Sequence, residues 1–545
     1  MSGRTYPMDT EHMPDGSTQP EIEAGCLIME SNDNRSRKID GGSNSDESGS
    51  GTSSSASRHR WWMALATICL ALLPFGILET ALRVFAPQSP QDATLDPYVD
   101  LQQLEPLFEL DADANEWKIP EHRMNFFRPA VFSANKHDAT RRIFVLGGST
   151  VQGRPFSTET AFPIWLEMRL RAAFPDTDFE VVNVGGISYA SYRVSNLVTE
   201  VLQHEPDAIV LYTGHNEFLE DREYGALLEA GAIQTWLASL SGKIRTVSWL
   251  QERFKPDTRP TSKMTTEVDA RLDHVGGLEK YHRDPNWRHG VEQHFDSALL
   301  AMVTQIKKAG IPLWICLPAC DLVNTPPFKV ELASDLSKKQ REEWQQAWVR
   351  ASDAQLATSE RLTACQQCLT IDPLDAGAHY VAGRLFYEQG DIPKATEHLK
   401  LARDFDVCPL RATTKIGQSV AEISKREKIP TIPTPILFDQ RDANGNRLPD
   451  GIADPELFVD HLHPSIKGHQ ILGSAVADSM IQNGLFAGLS RSHDTQVLEQ
   501  RYQALLKQHL AGLSEAYYAR GKQRLKGLRL WAAGRAGQPR EHDQN

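Results

Sequence analysis

The pattern of hydrophobic and polar positions from residue 139 onward alternates between short apolar runs and longer stretches with a helical period. The apolar runs lie at residues 143–146, 179–184, 208–212 and 311–317. The stretches with a helical period lie at residues 160–174, 194–204, 291–309 and 412–427. Strands that alternate with helices of ten or more residues form parallel sheets with helices on both faces. The pattern therefore predicts an α/β fold of three layers.

The first three predicted strands end in loops of unusual composition. These loops read GGST from Gly147, NVGGISYAS from Asn183 and TGHNEF from Thr213. Because the carboxyl ends of parallel strands lie at one edge of a sheet, the loops should meet there, where ligands of α/β proteins usually bind. Ser149 stands at the corner between the first strand and the next helix. It is either a helix-capping residue or a group presented to a ligand.

The N-terminal part of the chain differs from the rest in composition. Residues 1–57 are rich in Ser, Gly, Asn and Asp, which predicts a disordered cytoplasmic tail. Residues 87–138 contain many Pro, Asp and Gln residues and have no sustained period. We expect this second segment to be a tether that leads into the α/β domain.

An uncharged run from Trp61 to Leu78 follows several basic residues. Its length and its flanks predict a single transmembrane helix within residues 58–86, with residues 61–85 in contact with the lipid bilayer. A buried core helix is the alternative. The positive-inside rule places the N-terminus in the cytoplasm and the rest of the chain on the extracytoplasmic side, which is the periplasmic side in a bacterium.

Between residues 336 and 404 the pattern changes to helices without strands. The segment from Ala378 has small and aromatic residues at the spacing of one tetratricopeptide-type helical hairpin. One such unit is fewer than these repeats need to stand alone, so we expect a helical insertion that packs on the main domain. Two interpretations remain open, namely ordinary core helices and a module that binds a protein partner.

The insertion divides the α/β domain into two parts, residues 139–335 and 405–487. The second part contains a proline-rich segment at residues 429–437, which we interpret as a short strand. The tail, residues 488–545, is expected to contain one long amphipathic helix at 493–532 that braces the fold.

Charge and cysteine content exclude several classes of function. The formal net charge is -13, which argues against a nucleic-acid partner. The seven cysteines are scattered, and the single CxxC of Cys365 and Cys368 is weak evidence for zinc. A loop at residues 442–450 has the spacing of a calcium site but has Ala453 where a bidentate glutamate is expected, so we interpret it as a surface turn. We predict no metal and no organic cofactor.

The chain contains each group that ester cleavage by a serine requires. A serine nucleophile needs an imidazole base, a carboxylate that fixes the imidazole tautomer, and hydrogen-bond donors for the oxyanion. Ser149 is the candidate nucleophile. In the sequence DHLHP, Asp460 and His463 are three residues apart, so one turn can hold both orienting carboxylate and base. Asn216 can donate its amide to an oxyanion, together with backbone N–H groups of Ser149 and of the NVGGISYAS loop.

These segments resemble, in chain order, the four conserved blocks of the SGNH (GDSL-type) hydrolase superfamily. GGST matches the serine block, NVGGISYAS the glycine block, GHNE from Gly214 the asparagine block, and DHLHP from Asp460 the DxxHP block. The resemblance implies a flavodoxin-like three-layer fold and a catalytic triad of Ser149, Asp460 and His463. The anchor and the helical insertion are similar to a bacterial subgroup of membrane-anchored members with tetratricopeptide-like inserts.

The sequence departs from the family pattern at two positions. The residue that aligns with the oxyanion glycine is Ser188, and the acidic residue after Asn216 is Glu217 instead of aspartate. We expect the backbone N–H of Ser188 to serve the oxyanion and Glu217 to be structural. Three histidines near the motifs are also expected to have structural roles; these are His215, His461 and His469.

The leading hypothesis is a membrane-anchored serine esterase that cleaves carboxylic esters, including O-acetyl esters, through an acyl-Ser149 intermediate. Two alternatives stay open. The same residues suit an O-acyltransferase that acts on extracytoplasmic glycans, and a catalytically inactive membrane-tethered scaffold would use the helical insertion. The sequence does not distinguish glycan, lipid and small-molecule esters.

Overall fold

The computed structural model describes residues 105–224, 267–440, 451–492 and 494–533, together with 63, 67, 70, 73–81, 96, 98–101 and 263–265. The tail at 1–57, most of the predicted membrane segment at 58–86 and the loop at 442–450 lie outside these residues. Residues 73–81 are helical. Among the described helices, none combines the length and the apolar character needed to cross a membrane. The strands and the labelled helices belong to the unit formed by Phe75–Asn545.

A sheet of five parallel strands forms the centre of this unit and confirms the predicted α/β pattern. Its strands are β5 (Thr140–Gly147), β6 (Asp178–Gly185), β7 (Ala208–Tyr212), β9 (Leu313–Cys316) and β10 (Thr431–Ile432). Their order in the sheet is β10–β9–β7–β5–β6. Gly147 at the end of β5 pairs with Gly185 of β6 and Tyr212 of β7. The loops that follow these three strands therefore begin at one edge of the sheet.

Helices cover both faces of the sheet. Phe144 and Leu146 of β5 face one apolar cluster, while Ile143 and Val145 face another, as the two-residue period of a strand requires. The first cluster contains residues of α3 (Ser191–Val201), α4 (Pro285–Lys308) and α9 (Thr414–Glu427). The second contains residues of α2 (Phe162–Ala173), α11 (Ile466–Gln482) and α12 (Thr495–Ala511). Burial on both faces explains why β5 reads as an unbroken apolar run.

Residues 338–404, within the segment expected to be a helical insertion, form four helices without strands. They are α5 (Lys338–Ser352), α6 (Thr358–Ile371), α7 (Ala376–Glu388) and α8 (Ile392–Asp404). The insertion packs on the main domain because Leu399 shares an apolar cluster with Leu322 and Leu462. Tyr380 Oη also donates to Val323 O at 2.8 Å. The insertion therefore supports the segment after β9 and the turn that contains Leu462.

Part of the stretch expected to be a tether forms an antiparallel sheet that the sequence pattern did not predict. Its strands are β2 (Glu109–Asp111), β3 (Glu116–Lys118) and β4 (Val131–Ser133). Phe108 and Phe132 meet edge to face at 5.0 Å, and both rings pack against Phe144 of β5. Strands of three residues are too short to produce a recognisable period. A second small pair joins β1 (Asp100–Leu101) to β8 (Lys263–Met264).

Two predicted elements are corrected by the structure. The single helix expected at 493–532 is two helices, α12 and α13 (Glu515–Ala532), because Gly512 follows the last residue of α12 and Ser514 caps α13. The strand expected at 429–437 is limited to β10, and α10 (Thr434–Leu437) follows it. Proline has no N–H to donate to a strand ladder, and it is well tolerated in the first turn of a helix.

Candidate active site

Ser149 is the first residue of α1 (Ser149–Gln152), directly after β5. A Cβ atom on Gly147 would lie 2.0 Å from Tyr212 O, and one on Gly148 would lie 2.5 Å from Asn216 Nδ2. Neither position can accept a side chain at such separations. The two glycines therefore allow β5 to pass close to the end of β7 and its loop, which places Ser149 beside Asn216.

Asp460 and His463 lie on one tight turn, as their spacing predicted. The turn is closed by an isolated antiparallel bridge between Phe458 and Pro464. Asp460 Oδ1 accepts from the backbone N–H of Leu462 at 3.0 Å and from that of His463 at 2.8 Å. The aspartate therefore shapes the turn and also orients the histidine that follows it.

The structure brings the three predicted catalytic side chains into one hydrogen-bonded chain. His463 Nδ1 lies 2.8 Å from Asp460 Oδ2 and 3.0 Å from Oδ1, while His463 Nε2 lies 2.8 Å from Ser149 Oγ. An ionised carboxylate can only accept, so Nδ1 is the protonated nitrogen that donates to Asp460. Nε2 then carries the free lone pair and accepts from the Ser149 hydroxyl. This is the geometry of a serine activated by a base.

The Asp460 carboxyl stays ionised although it is buried. Burial raises its pKa, but the nearby His463 and His461 and the hydrogen bonds from the turn outweigh that effect and hold the pKa well below its ordinary value. A charged carboxylate next to Nδ1 stabilises the imidazolium that forms when His463 takes a proton.

Asn216 lies on the loop after β7, and its amide faces the same site. Asn216 Nδ2 donates to Tyr189 O at 3.0 Å. An amide nitrogen has two hydrogens, so one remains for a ligand. The bond to Tyr189 fixes the amide plane and thereby the direction of the second hydrogen.

Ser188 lies on the loop after β6 with φ 61°, in the left-handed region that glycine prefers. The neighbouring N–H groups are engaged, since that of Ile187 donates to Phe126 O and that of Tyr189 to Gly186 O. No described residue accepts from the N–H of Ser188 or from that of Ser149. The site therefore offers three donors to an oxyanion, namely these two backbone groups and the Asn216 amide.

Glu217, for which a structural role was expected, forms hydrogen bonds with Ser191. Its carboxylate is fully buried and accepts from Ser191 N–H at 2.9 Å and from Ser191 Oγ–H at 2.8 Å. These bonds tie the loop after β7 to the start of α3. They therefore link the loop that carries Asn216 to the end of the loop that carries Ser188.

Two of the three nearby histidines hold backbone groups, and the third lies beside Asp460. His215 Nδ1 accepts from Ala412 N–H at 3.1 Å, and His469 Nδ1 accepts from Phe162 N–H at 3.2 Å. Burial lowers the pKa of both imidazoles to about 3, so both are neutral. His461 Nδ1 lies 3.6 Å from Asp460 Oδ1, and burial lowers its pKa to about 4.

The cavity around Ser149 is lined by further residues that the sequence did not single out. They come from five segments of the chain and include one cation, four leucines and one tryptophan: Arg154, Leu219, Leu410, Leu462, Leu528 and Trp531. Leu528 and Trp531 belong to α13. Trp531 Nε1 donates to Asp273 Oδ1 at 2.8 Å, which anchors the end of this helix over the site. The only signal in the sequence was an aromatic residue near the end of a mostly polar helix.

Several solved structures show a distant similarity to this chain. No family model and no curated protein matches the chain. A protein described as lipolytic and of the G-D-S-L family, from Desulfitobacterium hafniense, is 12% identical with a TM-score of 0.25, and the match covers 62% of this chain and 98% of that one. An acetylxylan esterase from Geobacillus stearothermophilus is 13% identical with a TM-score of 0.29, and the match covers 62% of this chain and 94% of that one.

An α/β hydrolase from the metagenome of Lake Arreo is similar to the same extent, with 12% identity, a TM-score of 0.28, and coverage of 62% of this chain and 94% of the other. The chemistry of the site follows from its own side chains. A hydroxyl, an imidazole, a carboxylate and three converging donors suit attack on a carbonyl carbon.

Proposed function

We propose that this chain is a serine esterase of SGNH type that cleaves carboxylic esters through an acyl-Ser149 intermediate. The observation that carries the proposal is the hydrogen-bonded chain from Asp460 through His463 to Ser149 Oγ, with its two imidazole contacts each at 2.8 Å. The three free donors beside Ser149 complete the set of groups that acyl transfer needs.

In the acylation step, Ser149 Oγ attacks the carbonyl carbon of the ester while His463 Nε2 takes the hydroxyl proton. The negative charge that develops on the carbonyl oxygen is met by the N–H groups of Ser149 and Ser188 and by the Asn216 amide. The tetrahedral intermediate then collapses and the bond to the alcohol oxygen breaks. The departing alcohol takes the proton from His463.

In the deacylation step, His463 takes a proton from a water molecule, whose oxygen attacks the acyl carbon. The same three donors stabilise the second oxyanion. When this intermediate collapses, the bond to Ser149 Oγ breaks and His463 returns the proton to the serine. The products are a carboxylic acid and an alcohol, and no cofactor enters the cycle.

The test is hydrolysis of 4-nitrophenyl acetate by the purified full chain, combined with labelling by a fluorophosphonate. We expect turnover by the wild type, and a covalent adduct on the peptide that contains Ser149. The Ser149→Ala variant should lose both while its circular dichroism and melting temperature stay unchanged. Equal turnover by this variant would contradict the serine mechanism.

We also propose that the esterase is anchored by one membrane helix and acts on the extracytoplasmic side. The support is the uncharged run from Trp61 to Leu78 and the basic residues before it. Removal of residues 1–86 should move the activity from the membrane fraction to the soluble fraction. Alkaline phosphatase fused after residue 95 should be active in a bacterial host; an inactive fusion of normal abundance would reverse the proposed orientation.

A further inference from the structure

Arg154 lies in the wall of the cavity that contains Ser149, five residues further along the chain. Its backbone N–H donates to Ser149 O at 3.1 Å, so the loop that carries the arginine is tied to the nucleophile. Its side chain is half-buried. Within the described residues, the guanidinium has neither a hydrogen-bond acceptor nor an ion-pair partner. Its paired N–H donors are therefore available to an anionic ligand in the cavity.

The charged groups near Arg154 are two arginines and two aspartates, and both aspartates have other hydrogen-bond partners. Burial lowers the pKa of Arg154, and the positive charge of Arg128 lowers it further. The nearby acidic groups are engaged, because Asp460 accepts from His463 and Asp273 accepts from Trp531. The negative charges of Asp460 and Asp273 partly offset the lowering of the Arg154 pKa. Neither carboxylate contacts the guanidinium.

Two further arginines lie near this part of the cavity. Arg128 Nη1 donates to Phe127 O at 3.0 Å, and Arg524 Nη1 donates to Phe156 O at 2.6 Å. Neither guanidinium forms an ion pair with a described residue. Burial and the charge of Arg524 lower the pKa of Arg128, and the nearby acidic Glu159 partly offsets this lowering. The carbonyl contacts hold these arginines in place without supplying a formal negative charge, so this region attracts anions.

We propose that Arg154 binds a carboxylate of the substrate, so that the preferred ester carries a negative charge close to the bond that is cleaved. The inference rests on the proposed esterase activity and adds the class of substrate. A guanidinium presents paired donors that match the two oxygens of a carboxylate. The carboxylate belongs either to the alcohol part or to the acyl part of the ester, and the two sources can be separated by choice of substrate.

The test uses two pairs of esters that differ in one carboxylate. For the alcohol part, 4-acetoxybenzoate is compared with its neutral methyl ester, methyl 4-acetoxybenzoate. For the acyl part, monophenyl succinate is compared with phenyl butyrate. Each kcat/KM is divided by the rate constant of hydroxide hydrolysis, which removes differences in intrinsic reactivity. We expect the wild type to prefer the charged member of one pair by about 10- to 100-fold, as for a hydrogen-bonded ion pair.

The Arg154→Gln variant should reduce that ratio to about one, and Arg154→Lys should retain part of it. Arg491→Gln is the matched control, because Arg491 is exposed and lies beside Ser492, whose N–H donates to Ala173 O at the far end of α2. This control should keep the wild-type ratio. A wild-type ratio of about one in both pairs, or a ratio that survives in Arg154→Gln, would overturn the inference.

Binding is measured separately so that failure of the esterase proposal can be distinguished from failure of this one. Calorimetric titration of 4-acetoxybenzoate and monophenyl succinate into the Ser149→Ala protein needs no turnover. We expect binding of at least one of them that is at least tenfold weaker in the Ser149→Ala, Arg154→Gln double variant. If the wild type hydrolyses no ester, such binding still supports the anion site and only the esterase proposal fails. Absence of binding for both overturns the anion site.

Discussion

His463 Nε2 lies 2.8 Å from Ser149 Oγ, although the two residues are 314 positions apart in the chain. We predict that Ser149→Ala and His463→Ala each lower kcat on 4-nitrophenyl acetate by a factor on the order of 10⁴ or more, because the hydroxyl is a weak nucleophile without its base. The double variant should be no slower than the single ones, since the two groups act as a unit. Steady-state kinetics of the three variants measures this.

The informative result is the double variant. If its loss equals the product of the two single losses, the two side chains act independently. The assignment of His463 as the base of Ser149 would then be wrong.

Asp460→Asn separates orientation of the base from folding of the turn. The new amide oxygen can still accept from Leu462 N–H and His463 N–H, so the turn should form. The amide cannot stabilise an imidazolium, and its nitrogen favours the wrong tautomer of His463. We expect kcat to fall by a factor on the order of 10³ to 10⁴ with little change in melting temperature. A variant that melts far below the wild type would show that the role of Asp460 is mainly structural.

Asn216→Ala removes one of the three oxyanion donors. We expect kcat to fall by about 10²- to 10³-fold with KM changed much less, because the lost hydrogen bond strengthens only as charge develops. Asn135→Ala is a matched control, since Asn135 is exposed and its amide donates to the exposed Asn115 Oδ1. A rise in KM with unchanged kcat would instead make Asn216 a residue for ground-state binding.

The sequence predicted the strands and turns that are determined by the residues of one short segment. The apolar run before Gly147 gave β5, and the three-residue spacing of Asp460 and His463 gave a turn that holds both side chains. Such features need only the strand period and the geometry of one turn. The parallel sheet and the meeting of its loops at one edge followed from the alternation of strands and helices.

The residues that the sequence did not reveal depend on contacts between distant segments. Arg154 is notable because no acidic residue in the described part of the chain contacts its guanidinium, and such a feature cannot be read from spacing. Trp531 reaches the cavity because α13 folds back after the break at Gly512, and its indole is held by Asp273. Tertiary packing determines both positions, which local propensity does not encode.

Ser188 adopts a left-handed conformation, with φ 61°, that costs a non-glycine residue on the order of 1 kcal/mol. Only its backbone N–H is assigned to the oxyanion, so Ser188→Gly should keep kcat/KM within about threefold. Its free energy of unfolding should be equal to that of the wild type or up to about 1 kcal/mol higher. Glycine removes the backbone strain, but it also gives the unfolded chain greater conformational freedom, which offsets part of the gain in stability. Urea unfolding and esterase assays measure the two quantities.

Ser188→Val is the contrasting variant, because a β-branched residue is poorly tolerated at positive φ. It should be less stable than Ser188→Gly by more than about 1 kcal/mol. If Ser188→Gly folds normally but loses activity, the hydroxyl of Ser188 takes part in the reaction and the assignment of its N–H is incomplete.

His469 makes stability depend on pH through its burial. Burial, with a smaller contribution from the nearby His463, lowers its pKa to about 3, whereas an unfolded histidine has a pKa of about 6.5. Between these values the unfolded chain binds a proton that the folded chain does not, so folding weakens as pH falls. The stabilisation is fully present above pH ~6.5 and is lost towards pH ~3, at about 1.4 kcal/mol per pH unit.

His469→Asn isolates this effect, because the asparagine oxygen can replace Nδ1 as acceptor for Phe162 N–H and does not titrate. We expect the variant to be less stable than the wild type at pH 8, where packing contacts of the ring are lost. The difference should then shrink by about 1.4 kcal/mol for each unit between pH 6 and pH 4, measured by urea unfolding. Val476→Ala, a buried substitution on the same helix, should keep a constant difference from the wild type. If His469→Asn also keeps a constant difference, His469 is protonated in the folded protein and its neutral role is wrong.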